Sequence, residues 1–97
     1  MTYRFLSSAL REITEAAEFY DDQMPGLGSD FIEEIDVAID LILRFPSAWA
    51  RLSEDYRHHN LRRFPYSMIY TFEGTENVLI VSVFHQNREP SSWRQNL

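Results

Sequence analysis

The amino-acid sequence predicts an α+β fold in the order β-α-α-β-β-β, with a helical hairpin packed on a mostly antiparallel sheet. Two segments in the N-terminal half space their apolar residues three and four positions apart, as one face of an amphipathic helix does. Three short segments rich in β-branched and aromatic residues follow. The 97 residues contain no internal repeat and no linker, so we expect one domain over residues 1–97.

The N-terminal segment predicts a strand followed by a first helix. Residues 3–6 alternate in polarity and end at Ser7 and Ser8, either of which is suited to cap a helix N-terminus. The apolar face of the helix consists of Leu10, Ile13, Ala17, Tyr20 and Met24. The helix should end at residues 25–28, Pro-Gly-Leu-Gly, because proline cannot continue the hydrogen-bond ladder and glycine permits a reversal.

A second amphipathic helix is predicted to begin near Ser29 and to end before Pro46. Its broad apolar face consists of Phe31, Ile32, Ile35, Ala38, Ile39, Ile42 and Leu43. A breaker of four residues cannot carry the chain far, so the two helices should form an antiparallel hairpin. The acidic residues on the opposite sides of both helices are expected to form a solvated surface.

Residues 56–63, 66–73 and 78–84 are predicted strands of an antiparallel meander, preceded by an irregular connection at residues 48–54. Pro65 marks a bend between the first two strands, because proline cannot donate to a strand ladder. Residues 73–77, Glu-Gly-Thr-Glu-Asn, form a hairpin turn between the last two. The helical hairpin should cover one face of this sheet.

Composition excludes several kinds of site. The chain has no cysteine, so it forms neither disulfides nor thiolate metal sites. His58 and His59 are neighbours on a predicted strand and should point to opposite faces, so we expect no metal site and no cofactor. No stretch approaches the roughly 18 apolar residues of a membrane span. A cytoplasmic protein without membrane contacts is the simplest expectation.

Charge is distributed unevenly along the chain. Residues 1–56 carry four arginines and twelve acidic residues, net −8, whereas residues 57–97 carry five arginines and three glutamates, net +2. All nine basic residues are arginine, whose guanidinium suits bidentate pairing with carboxylates or phosphates. The candidate binding face is therefore the arginine group Arg57, Arg62, Arg63 and Arg88.

Several short sequence segments, distributed along nearly the whole chain, are distinctive in their order and spacing. They are Ala-Ala-Glu-Phe-Tyr at 16–20, Pro-Gly-Leu-Gly at 25–28 with Phe31, Arg57, Arg63-Phe64-Pro65-Tyr66 with Ile69-Tyr70, and Val83, His85, Arg88, Pro90 and Trp93. In this order and spacing they resemble the bacterial RelE/ParE toxin superfamily, and more closely its ParE, or plasmid-stabilisation, branch. The resemblance implies a toxin that a cognate antitoxin silences by folding a flexible tail across it.

The superfamily implies two mechanisms, because RelE-like toxins cleave messenger RNA on the ribosome whereas ParE-like toxins act on DNA gyrase. Cleavage needs a proton acceptor, a cation and a proton donor. This chain has no lysine, its tail aromatic Trp93 is neither acid nor base near neutral pH, and its net charge of −6 opposes binding among phosphates. These features favour a gyrase inhibitor that does not bind DNA directly. An endoribonuclease and a non-toxic interaction module of the same fold remain alternatives.

The candidate residues follow from these alternatives. For RNA cleavage they are His85, Arg57, Arg63 and Arg88, and for binding of target or antitoxin they are Arg57, Arg62, Arg63, Tyr66, Tyr70, Arg88 and Trp93. By even spacing along a strand, Arg57 and Arg63 should share a face. Tyr66 and Tyr70 should also share one, either touching a partner or forming a half-buried aromatic ladder with its hydroxyls in solvent.

Two residues near the C-terminus carry competing interpretations. His85 either acts as a base or forms a structural hydrogen bond to the start of the tail. Trp93 is expected to anchor the tail on the sheet rather than to stack on a nucleic-acid base. The expected partners are an antitoxin and gyrase, and both a homodimer and a toxin–antitoxin hetero-oligomer remain open.

Overall fold

The computed structural model describes residues 1–97 and confirms the predicted element order and fold class. The elements are β1 (Thr2–Phe5), α1 (Ser7–Gln23), α2 (Leu27–Arg44), β2 (Arg57–Asn60), β3 (Tyr66–Glu73), β4 (Asn77–His85) and a C-terminal 3-10 helix (Ser92–Asn96). The 3-10 helix is the one element that periodicity did not predict. No helix is both long enough and apolar enough to span a membrane.

The four strands form one mixed sheet in the order β1-β4-β3-β2. β3 pairs antiparallel with both β2 and β4, as predicted for the meander. β1 pairs parallel with β4, from Thr2 opposite Asn77 to Phe5 opposite Ile80. β4 therefore has a strand on each side, and its run of β-branched residues suits this central, largely buried position.

The helical hairpin is closed by a contact at Gly28. Its N–H donates to Asp21 Oδ1 at 2.7 Å, and a Cβ at this position would lie 2.4 Å from the carbonyl oxygen of Ala17. α2 begins at Leu27, two residues before the predicted start, and its N-cap Gly26 has a left-handed conformation (φ 92°) that glycine adopts without strain. The predicted serine cap of α1 is wrong, because Leu6 occupies the N-cap without a side-chain hydrogen bond.

β2 ends at Asn60, three residues before the predicted end. Beyond this point the chain departs from the sheet. The main-chain N–H groups of Arg62 and Arg63 donate to Glu34 Oε1 on α2, at 2.6 and 2.7 Å. The expectation that Arg57 and Arg63 share one strand face is therefore wrong.

Apolar side chains cover both faces of the sheet. The helices cover one face, where Phe31, Met68 and Ile80 belong to the main core. The opposite face carries a smaller cluster of Ile69, Val81, Phe84 and Trp93. Trp93 comes from the 3-10 helix, so the C-terminal segment is packed onto the sheet.

Candidate functional site

The four candidate arginines contact different parts of the chain. Arg57 is half-buried and donates from Nη1 to the carbonyl of Trp49 at 2.7 Å. Arg63 Nη2 lies 3.5 Å from Asp30 Oδ2 at the start of α2. The Arg62 side chain is exposed and forms no ion pair within the chain. The predicted arginine face is thus spread over several elements.

The fourth arginine, Arg88, lines a shallow depression of about 240 Å³ with Phe19, Tyr66 and His85. The rings of Tyr66 and His85 meet edge to face at 5.1 Å. Burial raises the pKa of Tyr66 above its ordinary value, and the nearby Arg88 opposes this effect. We call this depression, with Glu12 at its inner wall, the tail-side site.

His85 uses one ring nitrogen to hold the chain after β4. Its Nδ1 accepts a hydrogen bond from the N–H of Asn87 at 3.0 Å. In the neutral imidazole this acceptor role places the proton on Nε2, so neither nitrogen then has a free lone pair for a substrate proton. The geometry matches the structural interpretation of His85.

Glu12 departs from the expected solvated acidic surface, because its side chain is only 17% exposed. Its carboxylate accepts hydrogen bonds from Ser82 Oγ at 2.9 Å, from the N–H of Val83 at 3.1 Å and from Asn96 Nδ2 at 2.8 Å. Arg88 Nη1 lies 3.7 Å away. Sequence periodicity missed this residue, since a helical pattern does not reveal which acid the C-terminal segment reaches.

Two candidate aromatics lie inside the protein. Tyr70 is 0% exposed and its hydroxyl donates to the carbonyl of Pro46 at 2.6 Å, so the expectation that its hydroxyl reaches solvent is wrong. Burial raises the pKa of Tyr70 to about 12, with Arg57 opposing the shift. Trp93 is 3% exposed and packs 4.9 Å from the ring of Tyr56. Neither side chain is accessible to a partner in this conformation.

A second concavity, which we call the edge groove, lies between α2 and β2 and has a volume of about 410 Å³. Its walls are formed by Glu34, Val37, Ala38, Leu41, Trp49, Ala50, His58, His59, Asn60, Leu61 and Arg62. The ring of His59 lies 4.3 Å from that of Trp49, and burial lowers the His59 pKa. Two sequence features could have indicated this groove: Val37 lies outside the predicted apolar face of its helix, and Trp49 lies in an irregular connection.

The structure brings no group of three or more His, Asp and Glu side chains into an arrangement that could hold a metal ion. His58 Nδ1 faces Asn60 Oδ1 at 3.3 Å, whereas His59 packs against Trp49. The two neighbouring histidines thus contact different partners, although both line the edge groove.

Comparisons with known proteins agree with the fold. A family model described as the ParE toxin of the type II toxin–antitoxin system parDE matches residues 3–90. The fold is similar to a chain in a solved structure of the chromosomal ParDE toxin–antitoxin system from P. aeruginosa, with a TM-score of 0.70 and 16% identity. That similarity covers 88% of this chain and 95% of the other. No curated protein sequence matches this chain.

Proposed function

This chain belongs to the ParE toxin family of type II toxin–antitoxin systems, and on that premise we propose that it inhibits DNA gyrase by binding and is neutralised by a cognate antitoxin. The family match over residues 3–90 carries the proposal. The same premise supports a cytoplasmic site of action. Arg62, Arg63, Tyr66 and Arg88 are the candidate residues with accessible side chains, and we assign them to contacts with gyrase or the antitoxin.

The surroundings of the RNA-cleavage candidates support a binding function over a catalytic one. His85 holds Asn87 through Nδ1, and Arg57 is engaged with the carbonyl of Trp49. Arg63 lies beside Asp30 at the start of the second helix, whereas Arg88 lies beside Glu12 on the first. Ribose-directed cleavage needs an available proton acceptor at the 2′-OH and a cation at the adjacent phosphate, and here each of the four candidates has a partner within the chain.

One observation favours the alternative of RNA cleavage. Tyr66, His85 and Arg88 all line the tail-side site, so a hydroxyl, an imidazole and a guanidinium are neighbours there. A cleaving toxin would first have to free His85 Nδ1 from the N–H of Asn87, because both a lone pair for a substrate proton and a second ring proton require that nitrogen. The acidic residues around this site, Glu12 and Glu15, would repel a phosphate backbone.

A supercoiling assay tests the proposal directly. The purified chain is added to gyrase and relaxed plasmid, and we expect supercoiling to be lost and then restored when the co-encoded antitoxin is added. Induction in a bacterium, with transcript 5′ ends mapped before and after, runs in parallel. Unchanged supercoiling at toxic levels would overturn gyrase as the target, and new transcript ends would then support cleavage. Normal growth on induction would indicate a non-toxic interaction module.

A further inference from the structure

We propose that the edge groove seats an extended segment of the antitoxin, which places an apolar side chain against Val37, Leu41 and Trp49 and a carboxylate on Arg62. This inference rests on the proposed neutralisation by an antitoxin, and it identifies where on this protein the antitoxin would bind. Three features support it: an apolar lining, an incompletely paired strand edge and an exposed guanidinium without an ion-pair partner.

The floor of the groove is apolar and open. Val37 is an apolar residue on the solvent side of α2, between the acidic residues Asp36 and Asp40 in sequence, and it is 58% exposed. Leu41, Trp49 and Leu61 also contribute apolar side chains to the lining of the groove. The volume of about 410 Å³ lies within the range of roughly 300–1,000 Å³ that is typical of ligand sites. Side chains of a bound peptide can therefore bury apolar surface here that the chain leaves in water.

The outer edge of β2 is paired over only part of its length. The segment after Trp49 pairs with Tyr56, just before β2, and with His58 in β2: Leu52 N–H donates to Tyr56 O at 2.8 Å, and His58 N–H donates to Ala50 O at 3.0 Å. Leu61 N–H faces the opposite way and donates to Tyr66 O at 2.9 Å. Alternation along the strand then turns the main-chain groups of Asn60 outward, beyond the covered part. A strand edge of this kind accepts a further extended segment.

The polar groups on the groove wall indicate the charge of that segment. The exposed guanidinium of Arg62 has no ion-pair partner, although the chain carries fifteen acidic residues. The nearby Glu34 forms no ion pair with this guanidinium, and its Oε1 accepts the main-chain N–H groups of Arg62 and Arg63 instead. A docked segment can supply a carboxylate to the exposed Arg62 guanidinium.

Substitutions on the groove and a matched control test this assignment. Val37→Glu places a charge on the floor, and Arg62→Glu reverses the charge at the rim; both side chains are exposed, so the fold should persist. Ile32→Glu is the control, since Ile32 is an exposed β-branched residue on the same helix and lies outside the groove. Circular dichroism and thermal unfolding confirm that each variant is folded.

Affinity for the purified antitoxin is then measured by calorimetry. We expect Val37→Glu and Arg62→Glu each to weaken binding about tenfold or more, as for interface anchors, while Ile32→Glu stays within about threefold of the wild type. Wild-type affinity in both groove variants would overturn the inference, as would a wild-type chain that does not bind the antitoxin. If the wild type binds the antitoxin but leaves gyrase unaffected, loss of binding in the groove variants still supports the groove, and only the proposed target fails.

Discussion

Glu12 and Asn96 lie 84 residues apart in the chain, and their side chains are joined by a hydrogen bond of 2.8 Å. The same carboxylate accepts donors from Ser82 and Val83 on β4 and lies near Arg88. The first helix, the central strand and the C-terminal segment therefore meet at one side chain. Glu12 fixes the segment whose Trp93 covers the face of the sheet opposite the helices.

Glu12→Ala is expected to destabilise the protein by about 2–4 kcal/mol, because several donors lose a shared, largely buried acceptor. Urea unfolding measures the loss. Tryptophan fluorescence, to which Trp49 and Trp93 both contribute, should also shift toward that of an exposed indole at urea concentrations below the main transition, as Trp93 leaves the sheet. Glu15→Ala on the same helix is the control, since Glu15 is exposed, and its effect should stay within about 0.5 kcal/mol. Equal stability of the two variants would contradict the role of Glu12.

Gly28→Ala is expected to destabilise the helical hairpin by about 1–3 kcal/mol through overpacking. Alanine is the better helix former, by roughly 1 kcal/mol, but its Cβ would meet the main-chain oxygen of Ala17, which cannot move without displacing α1. Thermal unfolding of Gly28→Ala and of the exposed neighbour Ser29→Ala provides the comparison. A Gly28→Ala variant as stable as Ser29→Ala would show that the two helices do not need this close approach.

Tyr70→Phe is expected to reduce stability by about 1–2 kcal/mol near pH 8, because the carbonyl of Pro46 loses its buried donor. Burial raises the pKa of Tyr70 to about 12 in the folded protein, above the roughly 10 of an unfolded chain. The unfolded chain then releases its proton first, so the stabilisation is complete below pH 10 and is lost as the pH rises through about 12.

The stability difference between wild type and Tyr70→Phe should therefore narrow as the pH rises from about 10 to about 12. Urea unfolding at several alkaline pH values measures it. Tyr3→Phe, at an exposed position, serves as the control at pH 8 and should change stability little. A difference that stays constant over this alkaline range would contradict the raised pKa.

His85→Ala is expected to leave gyrase inhibition within about twofold of the wild type, because its Nδ1 is engaged with the main chain of Asn87. Loss of that hydrogen bond should cost about 0.5–1.5 kcal/mol of stability. The supercoiling assay and growth after induction measure the functional effect, and thermal unfolding measures the structural one. A folded His85→Ala variant that has lost toxicity would instead identify His85 as part of the toxic mechanism.

Much of the fold could be predicted from sequence because its signals are local. The three-and-four spacing of apolar residues located both helices, and the turn at Gly74 located the last hairpin within one or two residues. The early end of β2 could not be predicted, since it depends on Glu34, which lies far away in sequence and captures two main-chain donors. The parallel pairing of β1 with β4 likewise depends on contacts between the two ends of the chain.

The candidate site was less predictable, because residue type does not reveal burial. Tyr66 and Tyr70 looked equivalent on one strand, yet only Tyr66 retains exposed surface, since β3 runs from the rim of the sheet into the core. The edge groove was not predicted at all. Its walls come from α2, the following connection and β2, and only the folded chain brings these three segments together.

The position of β1 in the sheet has a consequence for protein synthesis. β1 is synthesised before the other strands of this sheet but pairs with β4, so Thr2 must wait for Asn77, 75 residues later. At roughly 5–20 residues per second, this wait lasts on the order of 4–15 s. A nascent chain therefore cannot complete this sheet before β4 has been synthesised, and any surface that requires the full sheet arises only after that point.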